Sequence, residues 1–136
     1  IKVHAHDKKK NVMLGAGAWK IEGNQVPVKI SVRAAEESLG LTVVMSRSQP
    51  SPELEEYLRD KKVAEAMTVG SSLKLCVVAE GKADLYPRLG PTMEWDTAAG
   101  HAVVEAAGGT VTQVDGAPLR YNKENLLNPH FIARGR

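Results

Sequence analysis

Glu94-Trp95-Asp96-Thr97-Ala98-Ala99-Gly100 places a carboxylate where a loop becomes a helix. Gly90 and Pro91 break structure just upstream, and Ala98, Ala99, Ala102, Ala106 and Ala107 follow as a run of small, helix-favouring residues. An aspartate at such a junction has two uses. Its side-chain oxygen can cap the helix by accepting from a free backbone N–H. The same oxygen suits a hard cation such as Mg²⁺, which takes carboxylates and keeps positions open for substrate phosphate. Asp before an alanine-rich run is an ordinary helix start, so the residue types alone make capping of the helix the simpler use of Asp96. Glu94 beside it reads as a surface carboxylate.

Outward from this helix, strand and helix patterns alternate. Downstream, Gly108-Gly109 closes the helix, Thr110–Val114 reads as a strand, Asp115-Gly116 as a tight turn leading into a Thr110–Arg120 hairpin, and Phe131–Ala133 as a last strand. Upstream, Ala83–Tyr86 is a short strand and Ser71–Glu80 a helix stopped by Gly81. Met67–Val69 reads as a strand, and Ser51-Pro52-Glu53 opens a helix expected to reach Val63. Leu41–Met45 is a buried strand, Glu36–Gly40 a turn, and Gln25–Val32 alternates apolar and polar residues with period two. Asn11–Lys20 starts like a strand, and residues 1–10 are polar and expected to be loose. This alternation implies an α/β fold, a layered mixed β-sheet with helices on both faces.

Composition sets limits. The 136 residues suit one domain with a real core, and 43% hydrophobic with 25% charged residues describes a globular protein. A net charge of +2 is too small to argue for a nucleic acid polymer or an acidic membrane, and Lys8-Lys9-Lys10 has no aromatic neighbours for base stacking. No apolar run approaches the roughly 20 residues of a membrane span, so stable membrane insertion is not expected. The start has no apolar stretch of the kind a signal peptide needs. The single cysteine, Cys76, excludes an internal disulfide and fits a reducing, cytoplasmic setting; its apolar surroundings read as those of a structural thiol.

Several residues are candidates for chemistry. Gly70-Ser71-Ser72 lies between a strand and a helix, where backbone N–H groups and hydroxyls can cradle a phosphate and Lys74 can add its charge. The plainer alternative is a capped helix with a solvated lysine. Arg88, in a proline-bounded loop, offers a planar fork to a phosphate, or is a surface arginine. His101 follows Asp96 by about one helical turn and reads as a packed or surface histidine, or as a group behind a metal ligand. His4, His6 and Asp7 look like a metal set but have no distant ligands, and Gly15-x-Gly17 is no dinucleotide fingerprint because no helix follows.

Trp95-Asp96 with Ala98-Ala99-Gly100 and His101–Gly109 resembles the second signature of the inositol monophosphatase superfamily of Mg²⁺-dependent, lithium-sensitive phosphatases. Gly70–Cys76, Ala79-Glu80-Gly81, Asp84–Arg88 and Gly90-Pro91-Thr92 resemble its CysQ branch, the 3'(2'),5'-bisphosphate nucleotidases. The strong likeness runs from about Val43 to Asn128, with a weaker match at Gly15–Trp19. The family's Asp-Pro-x-Asp-Gly-Thr/Ser metal loop has no counterpart here, since Asp115-Gly116 follows Val114 and reads as a turn. The resemblance therefore implies the C-terminal half of an inositol monophosphatase-like fold. Residues 1–20 would be the end of an N-terminal half or a loose segment, and 21–136 the substrate-binding domain.

The resemblance implies a parent enzyme that converts 3'-phosphoadenosine 5'-phosphate to AMP and phosphate in sulfur metabolism. Ser71, Lys74 and Arg88 would hold the 5'-phosphate, with Gly70 and Ser72 beside them. Asp96 would touch Mg²⁺, the only cofactor implied. No side chain of this chain would be the nucleophile, and the chain alone would be inactive. Its partners would be a phosphorylated nucleotide and the missing N-terminal half, whose absence would favour self-association. Inositol or sugar phosphates are the rival substrates, and a non-catalytic nucleotide-binding module the rival from another class. Ser46-Arg47-Ser48 matches the start of a family Ser-Arg-Ser-His segment near the base, but Gln49 stands in place of the histidine and puts base contact in doubt.

Overall fold

A computed structural model describes residues 17–47 and 51–136, together with the backbone of residues 2–5. His6, Asp7, Lys8-Lys9-Lys10, Gly15 and Gln49 lie outside the described residues. In chain order the elements are β1 (Lys2–Ala5), β2 (Ala18–Ile21), β3 (Val28–Ile30), β4 (Leu41–Met45), α1 (Pro52–Leu58), β5 (Val63–Thr68), α2 (Leu73–Ala79), β6 (Leu85–Arg88), α3 (Glu94–Ala106), β7 (Thr110–Gln113) and β8 (Phe131–Arg134). Among the described residues, no helix is long and apolar enough to cross a membrane.

The main sheet has five strands in the order β5-β4-β6-β8-β7. β5, β4 and β6 run parallel, while β8 is antiparallel to both β6 and β7. Side chains alternate across it. Val43, Leu85 and Ile132 face one side, where Tyr57 and Leu58 of α1 pack. Val44, Tyr86, Phe131 and Ala133 face the other, against Leu75 and Val78 of α2 and Val103 and Val104 of α3. Helices thus cover both faces of a mixed sheet, as the alternating pattern predicts. Burying such β-branched and aromatic side chains contributes roughly 1.5–3 kcal/mol each before entropy is counted. α2 and α3 approach closely because Gly100 has no side chain: a Cβ there would sit 2.9 Å from Leu75 Cβ and overlap Leu75 Cδ1.

A smaller antiparallel sheet, β1-β2-β3, is separate. Its first strand, Lys2–Ala5, pairs with Ala18–Ile21, so part of the start that composition marks as loose is a strand. The expected division after Lys20 falls inside β2. β3 covers only Val28–Ile30 of the alternating Gln25–Val32 run. Pro27 has no N–H to donate to a ladder, and Val32 leaves the sheet to bond Ala107 O at 3.0 Å and enter the main core.

Two further expectations change. α1 ends at Leu58 rather than Val63, although Ser51 Oγ caps it by accepting from Leu54 N at 3.2 Å. Arg59–Lys62 make a polar turn, and Val63 opens β5 because pairing with β4 claims the segment through Thr68. The turn at Asp115-Gly116 forms, with Gly116 at φ +88. It leads to a single bridge, Thr112↔Pro118, instead of a full hairpin, and the ladder partner of β7 is β8.

Candidate active site

The parallel strands β4 and β6 end within one residue of the same level, since Val43 is registered with Leu85. Ligand crevices in open α/β sheets lie outside the carboxyl ends of parallel strands. A cleft of about 380 Å³ opens there, and Ser71, Ser72, Lys74, Arg88 and Asp96 all line it. Residues from the α2, β6 and α3 segments therefore share one concavity. Gly70 sits just behind this lining, at the start of the loop, with the Arg47 guanidinium about 3.8 Å from where its side chain would begin.

The loop is unlike a plain helix cap. Ser71 has φ +51, in the sparsely populated left-handed region, which a non-glycine residue occupies at a cost of about 1 kcal/mol or more. Ser72, at the cap position of α2, makes no capping bond with its side chain. Both serines line the cleft. Lys74 is not solvated: it is 6% exposed, turned under the loop. Its ammonium lies 5.6 Å from the Tyr86 ring centroid and makes one long bond, 3.4 Å, to Val69 O. Burial, then the nearby Arg88 and Arg47 charges, hold its pKa below the usual lysine value.

Arg88 comes off the end of β6. Nη1 donates to Ser46 Oγ at 2.7 Å and Nη2 to Pro91 O at 3.4 Å. Its Nε is buried with no hydrogen-bond partner. Among the described residues, no carboxylate forms an ion pair with Lys74, Arg88 or Arg47. Three cations around one loop, with a desolvated lysine and an unused arginine N–H, make an arrangement whose chemistry suits an anion. Arg47 and Ser46 also belong to this group, although the sequence placed them in a segment expected near the base rather than among the phosphate-holding residues. The Ser46-Arg47 dipeptide at the end of a buried strand was the available signal.

Asp96 is the third residue of α3, not its cap; Met93 holds that position. Asp96 Oδ2 accepts the Met93 N–H at 2.9 Å, so the carboxylate does restrain the helix start, from inside. The residue is exposed and Oδ1 is left for another partner, a donor chemistry that suits Mg²⁺. Among the described residues no group of three or more His, Cys, Asp or Glu is placed to hold a metal, so Asp96 offers a single carboxylate.

Glu94 is not the surface carboxylate its sequence position suggests. It is 8% exposed and accepts from Asn122 N at 2.7 Å, Lys123 N at 3.1 Å and Lys123 Nζ at 2.5 Å. The Lys123 bond leads the causes that lower its pKa. Tertiary contact with the Arg120–Lys123 turn decided this, which no local pattern reveals. His101 is packed, bridging Tyr121 OH at 2.7 Å and Glu105 at 2.9 Å. Cys76 is half-buried, and desolvation raises its thiol pKa.

The sequence matches the inositol monophosphatase family over residues 5–134. The chain belongs to that family. It is 51% identical over 125 residues to the 3'(2'),5'-bisphosphate nucleotidase CysQ of Escherichia coli K12, an alignment covering 89% of this chain and 49% of that protein. The crystal structure of CysQ from Bacteroides thetaiotaomicron superposes with a TM-score of 0.77 at 44% identity, over 89% of this chain and 51% of that one. An inositol monophosphate-bound Staphylococcus aureus inositol monophosphatase shares the fold at 20% identity and a TM-score of 0.68, covering 90% of this chain and 46% of its own. The chain spans about half the length of the curated relatives it matches.

Proposed function

We propose that this chain supplies the phosphate grip of a Mg²⁺-dependent 3'(2'),5'-bisphosphate nucleotidase that converts 3'-phosphoadenosine 5'-phosphate to AMP and phosphate. The observation that carries the reading is the buried Lys74 ammonium and the Arg88 fork, both without a counter-ion, in the cleft that Asp96 also lines. Resemblance to the CysQ branch adds the nucleotide. Ser71, Lys74 and Arg88 hold the 5'-phosphate, and the Gly70-Ser71-Ser72 loop shapes its cradle. A phosphate monoester carries close to two negative charges at neutral pH, enough to neutralise Lys74 and Arg88 together.

Asp96 offers Oδ1 to Mg²⁺ while Oδ2 stays on the Met93 N–H, which keeps the carboxylate from swinging away. Magnesium, when bound, supplies Lewis acidity and an activated water. One carboxylate is too few for an ion that dehydrates reluctantly. We place the remaining ligands on the half of the relatives' length that this chain does not span, and expect this chain alone to bind nucleotide without turning it over. The same reading places the complete enzyme in the cytoplasm, in sulfur metabolism, with lithium-sensitive turnover.

The test is calorimetric titration of the chain with 3'-phosphoadenosine 5'-phosphate, AMP and an inositol monophosphate, beside a phosphate-release assay with Mg²⁺, with and without Li⁺. We expect both nucleotides to bind, the inositol ester to bind at least tenfold more weakly, and no phosphate release. Equal affinity for the inositol ester would move the substrate out of the nucleotides. Lithium-sensitive release by this chain would put the metal ligands within it.

A further inference from the structure

We infer that Ser46 is a positioning residue that aims the Arg88 guanidinium at the anion. This deepens the phosphate-binding reading and depends on it. Ser46 follows the last residue of β4, and Arg88 is the last residue of β6. The parallel pair Val43↔Leu85, carried three residues onward along both strands, brings Ser46 level with Arg88. The 2.7 Å bond from Arg88 Nη1 to Ser46 Oγ is therefore a product of sheet register, fixed by two buried strands.

An arginine side chain has many rotamers and carries about 2 kcal/mol of rotamer entropy, and its value to a phosphate lies in the planar fork being oriented beforehand. The Tyr86 side chain also reaches Arg88, and two further restraints are visible. One is the 3.4 Å contact of Nη2 with Pro91 O, long for a hydrogen bond. The other is packing that leaves Nε buried and unpartnered. Ser46 thus makes the one short hydrogen bond that the guanidinium has among the described residues. Arg88 also stands between two hollows. It lines the cleft with Lys74 and Asp96, and a neighbouring hollow of about 450 Å³ bounded by Ser46 itself with Arg47, Ser51 and Leu89. Without Ser46 the guanidinium can turn toward either. With Ser46 it is held at the seam, and Lys74 and Arg88 act on one anion.

The experiment is a double-mutant cycle on the full chain, with inorganic phosphate and AMP as probes, read by calorimetry or by NMR titration. S46A should weaken binding of both probes roughly tenfold, the loss of one hydrogen bond to a charged group. S46T, which keeps the hydroxyl on a strand-compatible side chain, should restore binding to within about threefold. R88A should weaken binding more than S46A, and adding S46A to R88A should change nothing further. Circular dichroism and melting confirm that each variant folds. If S46A leaves binding intact while R88A destroys it, Ser46 has no positioning role and the phosphate reading stands. An additional loss from S46A in the R88A background would show Ser46 acting by another route and overturn the inference. If R88A itself leaves phosphate and AMP binding unchanged, both fail together.

Discussion

The β6 segment carries a charged group at each end, and the two are treated in opposite ways. Just before the strand, Asp84 is 5% exposed and fully engaged. Arg33 Nε and Nη2 clasp its two oxygens at 2.7 and 2.8 Å, and the Thr42 N–H adds a 2.7 Å bond. At the strand's last residue, Arg88 has one short bond to a neutral hydroxyl, a buried N–H with no partner, and two cations for neighbours. Both ends sit in the same sheet, four residues apart, so burial alone does not explain the difference. The Asp84 end is a closed network that joins β4, β6 and the Arg33 segment. The Arg88 end is an open one, which in the proposed reading a phosphate completes. A charge that the fold leaves unanswered in a cleft points to function, and one that it answers in full points to structure.

Replacing Lys74 with methionine separates the two ends most strongly. Affinity for AMP should fall about 100-fold, near 3 kcal/mol, as a charge-assisted contact is lost from a desolvated site. Thermal stability should rise instead, by about 3 °C, because an apolar side chain of similar length replaces a buried cation repelled by Arg88 and Arg47. A lowered Tm would mean that Lys74 is part of the structure, and the contrast between the two ends would collapse.

Asp84→Asn should act in reverse. It weakens the Arg33 clasp and should cost about 2 kcal/mol in urea unfolding while leaving AMP affinity within about twofold. The same variant sharpens the contrast in pH. The Arg33 bonds, chiefly, hold the Asp84 carboxyl below its ordinary value of 3.8. Its stabilisation is present above that value and is lost as pH falls through the lower folded value. Acid titration of the native protein should therefore show a loss of stability below about pH 4 that Asp84→Asn flattens. Lys74 gives a slope of the same sign in a higher window: its folded pKa is lowered, so the buried ammonium costs stability until it loses its proton, stability should climb as pH rises from that value toward 10.5, and Lys74→Met should remove the climb. The smallest effect is expected at Asp96→Ala. Losing the bond to the Met93 N–H and an acid near the positive end of the α3 dipole should cost about 0.5–1 kcal/mol in the same unfolding measurement.

Much of the fold was legible in the sequence because its signals are local. The run Leu41–Met45 is a strand with the expected bounds, Ser51-Pro52 starts a helix through the expected cap, and the alanine-rich stretch after Trp95 is a helix. Signals failed where a distant partner competes. The segment Arg59–Val63 reads as the tail of a helix, yet the helix stops at Leu58 and pairing with β4 starts a strand at Val63. The alternation of Gln25–Val32 promises a buried face, yet Val26 is 80% and Val28 64% exposed while Val32 joins the core.

By itself, the sequence determined the class of fold, the family through Trp95-Asp96 and the Ser71-to-Arg88 motifs, and the residue types able to meet a phosphate. Those follow from periodicity, caps and motif spacing, all encoded within short windows. Only the tertiary structure decided the state of each charge. Lys74 and Glu94 both look solvated in sequence, and both are buried, one without a counter-ion and the other bound to Lys123. The register between β4 and β6 placed Ser46 against Arg88, and the approach of α3 to the Gly70 loop brought Asp96 into the same cleft. Burial and charge pairing depend on which residues meet across the sheet, and that information exists only once the chain has folded.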